Sequence, residues 1–119
     1  MNVPEPRLPD YLDHILEAID RIQEYVEDIA EPEFLTNTLI QDAVIRNLEV
    51  IGEASKNIER RHPAFANQHP EIPWAIIYAM RNRMAHGYFK VDLEIVWRTI
   101  EIDLPEIEKS LKIMREKIG

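Results

Sequence analysis

Apolar residues recur at alternating intervals of three and four along most of this chain, which is the spacing of helices that bury one face. This spacing predicts a first helix over about Asp10–Ala30, ending before Pro32. A second helix follows, capped by Thr36 or Thr38, and Thr38 with Gln41 reads as a capping box. The apolar positions are Leu12, Ile15, Ile19, Ile22, Val26 and Ile29, then Ile40, Val44, Leu48, Ile51, Ala54 and Ile58.

The pattern breaks over residues 60–73, where three prolines stand among polar residues. A connection of this length is unusual in a small domain and is often functional. A short helix over about 74–85 is predicted next, and a final helix begins near Asp92, a good N-cap. Pro105 lacks a backbone donor and is expected to kink or restart that helix, with Asp103 as the second cap. Its apolar positions are Leu93, Trp97, Ile100, Leu104, Ile107, Leu111, Met114 and Ile118.

These elements predict an all-α, up-and-down bundle of four or five helices. The length of 119 residues fits one domain over 1–119, with the proline-containing residues 1–9 as a flexible N-terminal lead. Only three glycines are present, which disfavours a turn-rich all-β fold. The first and last helices carry broad apolar stripes, and a stripe left uncovered within one copy favours a homodimer.

The composition limits where the chain works and what it binds. It has no cysteine, which excludes disulfides and permits a cytosolic home. The longest apolar run, 74–80, is far too short to cross a membrane, and the first residues do not read as a signal peptide. We therefore expect a cytoplasmic protein with no membrane partner.

The net charge of −8 argues against a general nucleic-acid coat protein, because such proteins neutralise many phosphates with Lys and Arg. One segment is basic although the chain as a whole is acidic, and its basic residues are Arg81, Arg83, His86 and Lys90. A small basic site on an acidic body fits an enzyme that holds a short stretch of RNA.

The segment Met80–Phe89 crowds an arginine, an asparagine, a histidine and a tyrosine around Gly87. Arg81 can grip a phosphate with two donors, and His86 can transfer a proton near neutral pH. On an unbroken helix they would point about 140° apart, but a helix that ends at Gly87 lets His86 face Arg81, its own or a dimer mate's. A structural alternative stays open, since Arg, His and Gly are all favoured at helix ends.

Three other polar groups are weaker candidates. Arg46, Glu49 and Glu53 lie along one side of the second helix, and some of them are predicted to brace Arg81 or His86, although a solvated helix face is commoner. Two histidines, His62 and His69, lie in the proline-rich connection without the further ligands of a metal site. We predict no metal and no cofactor.

The sequence Arg81-Asn82-x-x-x-His86-x-Tyr88 resembles the R-x-x-x-x-H-x-Y signature of HEPN-domain proteins, and of HepT-type toxins in particular. Three further passages share the resemblance, namely 45–54, 70–74 and 91–97. The likeness extends over nearly the whole chain in the expected order. It implies a HEPN-like bundle that acts as a homodimer, with both motifs lining one cleft.

The resemblance further implies a metal-independent ribonuclease that cleaves cellular RNA, such as tRNA or mRNA, as the toxin of a type VII-like toxin–antitoxin pair. The resemblance assigns proton transfer to His86 and binding of the scissile phosphate to Arg81. Asn82, Arg83 and Lys90 would be substrate or phosphate contacts.

The antitoxin implied by the resemblance is a MntA-like nucleotidyltransferase, which would attach AMP to Tyr88. The added bulk and negative charge would block a cleft built for phosphate. Two alternatives remain open at this stage. One is a catalytically silent HEPN module that binds a nucleotidyltransferase or a nucleotide, and the other is a purely structural homodimer.

Overall fold

The computed structural model describes residues 7–72, 74 and 92–118, and these are helical apart from short connections, with no strand among them. The all-α class is therefore confirmed. The predicted helix over 74–85 lies outside the described residues except for its first position. The elements are α1 (Leu8–Val26), α2 (Glu31–Phe34), α3 (Thr38–Arg61), α4 (Pro63–Gln68), α5 (Leu93–Arg98), a π-helical turn (Thr99–Asp103) and α6 (Leu104–Ile118).

Helix α1 is the centre of the described core. It packs along α3 over most of its length and also against α6. Its buried residues are Tyr11, Leu12, Ile15, Ala18, Ile19 and Ile22. The apolar spacing of the sequence therefore placed the buried face correctly over the first four turns, while Val26 and Ile29 are only partly buried at its end.

Helix α1 begins and ends earlier than the spacing predicted. It starts at Leu8, and the Asp10 carboxylate accepts a hydrogen bond from the Arg7 backbone N–H at 2.8 Å. It ends at Val26, and the short helix α2 follows with Pro32 in its first turn. Proline is tolerated in a first turn, where its missing N–H would have no helical partner. Pro32 thus helps to begin a helix here.

The predicted cap of the second helix was wrong by one residue. Helix α3 is capped by Asn37, whose Oδ1 accepts a hydrogen bond from the Ile40 N–H at 3.1 Å. Thr36 turns back and donates from its hydroxyl to the carbonyls of Pro32 and Glu33. Gln41 donates to the Phe34 carbonyl at 2.9 Å, so its side chain ties α3 to α2 where a capping box was expected.

The proline-rich connection contains a helix that the sequence did not predict. Helix α4 has Pro63 at its start, and Phe65 packs against both His69 and Trp74, with ring centroids 4.6 Å and 6.2 Å apart. Ile72 and Trp74 are buried. Trp74 therefore packs in the core. The connection is therefore held on the core by its aromatic residues.

The last helical stretch begins as predicted and continues differently. Asp92 caps α5, since its Oδ1 accepts from the backbone N–H groups of Glu94 and Ile95. Asp103 does not cap a restarted helix, because the π-helical turn carries the chain straight through into α6. In that turn the Leu104 N–H donates to the Thr99 carbonyl. The wider turn accommodates Pro105, which has no N–H of its own.

Side chains fix the two ends of this stretch to the rest of the molecule. Trp97 of α5 is buried against Phe34 of α2, with ring centroids 5.3 Å apart. Arg115 of α6 grips Asp13 of α1 with two nitrogens, at 2.8 Å and 3.4 Å. Two-nitrogen contacts of this kind fix orientation as well as distance. They set the position of α6 along α1.

Candidate functional site

The Arg–His motif lies outside the described residues. This applies to Arg81, His86 and Tyr88, and also to the predicted substrate contacts Asn82, Arg83 and Lys90. The described residues on either side of the segment belong to the folded core. Trp74 is buried before it, and after it Asp92 caps the helix that buries Trp97.

The polar residues predicted on the second helix lie in a concave surface between α1 and α3. Arg46, Glu49 and Glu53 line a cavity of about 310 Å³. The remaining lining residues are Val50, Ala54 and Asn57 of α3 and Tyr11 and His14 of α1. The structure therefore brings together all three of these candidates, and it adds a second wall that comes from α1. We call this cavity the α1–α3 pocket.

One wall of the pocket is a line of charged residues along α3, in which Arg46 is followed by Glu49 and Glu53. The Arg46 guanidinium lies 3.9 Å from a Glu49 carboxylate oxygen, with 75% and 33% of the two side chains exposed. An ion pair this long and this exposed contributes little to folding. Both charges can therefore turn toward a bound molecule at little cost.

The opposite wall is aromatic and better fixed. Tyr11 is only 4% exposed, and its ring meets the imidazoles of His14 and His62 edge-on, at centroid distances of 6.4 Å and 6.2 Å. His14 is exposed at the rim. Aromatic rings in this perpendicular arrangement attract each other, which helps to hold the Tyr11 ring in place.

Sequence reasoning missed the three polar or aromatic lining residues Tyr11, His14 and Asn57, although a signal for them was present. Tyr11 and His14 are three apart on α1, so they project from the same face of the helix. Asn57 lies one turn beyond Glu53 and extends the polar line of α3. What the sequence did not reveal was that α1 packs beside this line and so converts a helix face into a cavity.

The two histidines of the proline-rich connection have structural partners. His62 contacts Tyr11, and His69 Nδ1 lies 3.0 Å from a carboxylate oxygen of Glu71. The hydrogen bond from His69 holds the pKa of the Glu71 carboxyl below its usual value. Within residues 7–72, 74 and 92–118, no three His, Asp or Glu side chains are grouped so that they could hold a metal ion.

The chain belongs to the Ribonuclease HepT-like family, whose model matches residues 15–114. At the level of the family, this is a helical-domain ribonuclease. The matched range runs from the middle of α1 to the last turns of α6, and it includes the whole of α3 and the Arg81–Tyr88 segment. The resemblance noted from the sequence is thereby confirmed.

Individual relatives cover nearly the whole chain. A Thermococcus cleftensis protein named "Probable ribonuclease HepT" is 43% identical over 107 residues, which are 90% of this chain and 94% of the relative. A Caldanaerobacter subterraneus subsp. tengcongensis protein named "Putative RNase" is 37% identical over 117 residues, 98% of each chain. A longer Methanocaldococcus jannaschii protein, named "Gamma-glutamylcyclotransferase and putative RNase", is 44% identical over 107 residues, 89% of this chain and 47% of that protein.

No solved structure matches the chain. Among the described helices, none is both long enough and apolar enough to span a membrane.

Proposed function

We propose that this protein is a metal-independent ribonuclease toxin that cleaves cellular RNA with Arg81 and His86. The observation that carries the proposal is the family match over residues 15–114, which takes in that motif together with the polar face of α3. Relatives that span the same length bear ribonuclease names. A further support is chemical, since an imidazole and a guanidinium supply the proton transfer and the charge stabilisation that the reaction needs.

RNA provides its own nucleophile in this reaction. The 2′-oxygen attacks the adjacent phosphorus as His86 takes the 2′-hydroxyl proton, and the bond from phosphorus to the 5′-oxygen breaks. A protonated imidazole, which a second copy's motif can supply, donates a proton to the leaving 5′-oxygen. The products are a 2′,3′-cyclic phosphate and a 5′-hydroxyl. Arg81 neutralises the charge that accumulates on the pentacovalent phosphate.

The remaining motif residues hold the substrate. Asn82, Arg83 and Lys90 contact phosphates that flank the scissile one, which keeps the polyanion on an acidic protein. In this proposal Glu53 is a positioning residue that braces Arg81 or His86. A Glu53→Gln change would then lower kcat and alter its pH profile with little change in KM, since bracing acts on the transition state.

Two copies of the chain form the working unit. A two-fold axis that passes through one cleft would bring two Arg81–His86 pairs to the same RNA strand, so that one imidazole acts as the base and the other as the acid. The reaction takes place in the cytoplasm, where RNA is the target and no disulfide is required. Sedimentation measurements across a range of protein concentrations test this dimer directly.

The activity test uses purified protein and a defined RNA in EDTA. Both His86→Ala and Arg81→Ala should reduce cleavage by about 10²-fold or more. His69→Ala and Arg98→Ala are the matched controls. His69 lies at the end of α4 and Arg98 is an exposed residue of α5, both outside the motif, so both changes should leave the rate unchanged. A 2′-deoxy nucleotide at the cut position should block the reaction. Equal cleavage by all variants would show that another residue or a contaminant is responsible.

The partner in this proposal is a MntA-like nucleotidyltransferase that serves as the antitoxin. The Tyr88 hydroxyl attacks the α-phosphorus of ATP, AMP becomes attached through the phenolic oxygen, and pyrophosphate leaves. The modified tyrosine then carries bulk and negative charge two residues from His86. Cleavage is blocked because the substrate phosphate is repelled from the place that it must occupy.

Growth experiments test this regulation. Expression of the chain should arrest growth, and co-expression of the nucleotidyltransferase should relieve the arrest, with AMP found on Tyr88 by mass spectrometry. Tyr88→Phe should escape relief, whereas Tyr25→Phe, which alters an exposed tyrosine of α1, should not. Relief of Tyr88→Phe by the enzyme would contradict modification at this residue. Absence of cleavage by every variant, with binding to the nucleotidyltransferase retained, would instead identify a catalytically silent partner module.

A further inference from the structure

The α1–α3 pocket has the size and the lining of a site for a small polar ring. Its volume of about 310 Å³ lies at the low end of the range found for ligand pockets, roughly 300–1,000 Å³. Val50 and Ala54 supply an apolar floor, and the Tyr11 and His14 rings form one wall. A helix or an extended peptide would need a longer groove. A nucleobase is flat, apolar on its faces and polar along its edges, which matches this lining.

The polar and aromatic groups of the pocket offer three kinds of contact. Arg46 stands at one end of the α3 line with most of its side chain exposed, where it can reach a phosphate attached to the bound ring. Glu49 and Asn57 lie farther along the same wall, with Glu49 supplying acceptors and the Asn57 amide supplying both donors and an acceptor. His14 at the rim offers a face on which a base can stack, a use that RNA-binding proteins make of aromatic rings.

The Glu49 carboxylate determines which base fits the pocket best. An ionised carboxylate only accepts hydrogen bonds, and it is best satisfied by two donors side by side. The Watson–Crick edge of guanine presents such a pair, N1–H and the N2 amino group. Adenine and cytosine place a ring acceptor beside their amino group, and uracil has a single N–H between two carbonyls. Each of those edges would leave one carboxylate oxygen facing an acceptor.

From this arrangement we infer that the α1–α3 pocket binds one guanine base of the RNA substrate, with Glu49 on its Watson–Crick edge and Arg46 on an adjoining phosphate. The inference rests on the proposed ribonuclease function for its substrate and adds sequence preference to it. The cleavage chemistry stays with Arg81 and His86, and the pocket decides which phosphates are presented to them.

Binding of mononucleotides tests the pocket without reference to cleavage. Isothermal titration of the full chain with 5′-GMP and with 5′-AMP should show tighter binding of GMP. Glu49→Gln should weaken GMP binding by roughly tenfold to a hundredfold, the loss expected for one two-bond base contact, and should leave AMP binding unchanged. Glu116→Gln is the matched control, because Glu116 is an exposed residue of α6 that does not line the pocket. Equal affinity for GMP and AMP, or an unchanged GMP affinity in Glu49→Gln, would overturn the inference.

Cleavage of short RNAs separates this inference from the function on which it rests. A set of oligonucleotides in which one guanosine is moved or replaced by adenosine should show cleavage that follows the guanosine in the wild type. In Glu49→Gln that preference should be lost while cleavage continues. Cleavage without any guanosine preference would refute the pocket and keep the ribonuclease. Selective GMP binding without cleavage of any RNA would support the guanine pocket and refute the ribonuclease function.

Discussion

Replacement of Leu111 by alanine tests the packing on which the described fold depends. Leu111 lies on α6 with none of its surface exposed, and α6 packs against α1. The change removes three carbon groups, worth about 0.8 kcal/mol each for burial. The unfilled cavity adds to this, so that measured losses for buried Leu→Ala changes are roughly 2.7–5.0 kcal/mol. We expect a loss of about 3 kcal/mol in the free energy of unfolding.

Leu39 offers a matched control with the same chemical change. It lies in the first turn of α3 and is 80% exposed. Leucine and alanine have similar helix propensities, so Leu39→Ala should change the stability by less than about 0.5 kcal/mol. The contrast between the two variants therefore isolates burial, because side-chain chemistry and helix type are the same.

Urea denaturation followed by circular dichroism measures both variants, with all samples at one protomer concentration, since dimerisation would stabilise the chain by mass action. With a urea m-value of about 2 kcal/mol per M, Leu111→Ala should lower the midpoint by roughly 1.5 M. A midpoint for Leu111→Ala no lower than that of Leu39→Ala would refute the packing of α6 on α1. A large loss in Leu39→Ala that shrinks when both proteins are diluted in a second series would show that a second copy covers Leu39.

Three further predictions concern single side chains. Asn37→Ala should cost about 1 kcal/mol in unfolding free energy because it removes the α3 cap. Thr38→Ala should cost less. If urea midpoints showed the reverse order, Asn37 would not be the cap. Glu71→Gln should remove the stability that comes from the lowered pKa of Glu71. This contribution is fully present above the ordinary carboxyl pKa of 4.5 and is lost as the pH falls through the lowered value, so thermal melts of wild type and variant should converge in acid and differ above it. The Ser55 hydroxyl is buried with no hydrogen-bond partner among the described residues, so Ser55→Ala should be neutral or stabilising by up to about 1 kcal/mol, and a clear loss of stability would reveal a bond to that hydroxyl.

The apolar spacing was sufficient to predict the class of fold and most of the buried face. Ile15 and Ile19 of α1 and Leu111 of α6 are buried as expected, because burial of a regular stripe is the main determinant of how such helices pack. Ile118 is the exception at the end of its stripe and is 37% exposed. A final turn has fewer neighbours to pack against, which periodicity alone does not reveal.

Local hydrogen bonding explains the predictions that were wrong. Asn37, Thr36 and Thr38 are all good caps by composition, and the choice among them depends on where α2 ends. The α1–α3 pocket could not be predicted from the sequence for a similar reason. Glu49 and Glu53 could be placed on one face from their spacing, but the wall that Tyr11 supplies exists only once α1 has packed on α3.

The π-helical turn before Pro105 changes what the last apolar stripe can do. In sequence the stripe runs without interruption from Trp97 to Leu111, as though a single helix faced a single neighbour. A turn that takes in one additional residue rotates everything after it by roughly 100° about the axis. One stripe can therefore serve two neighbours, with Trp97 on Phe34 of α2 and the later residues on α1. When homologues are aligned, a one-residue gap at Thr99–Asp103 would mark members that lack this rotation and must attach their final helix at another angle.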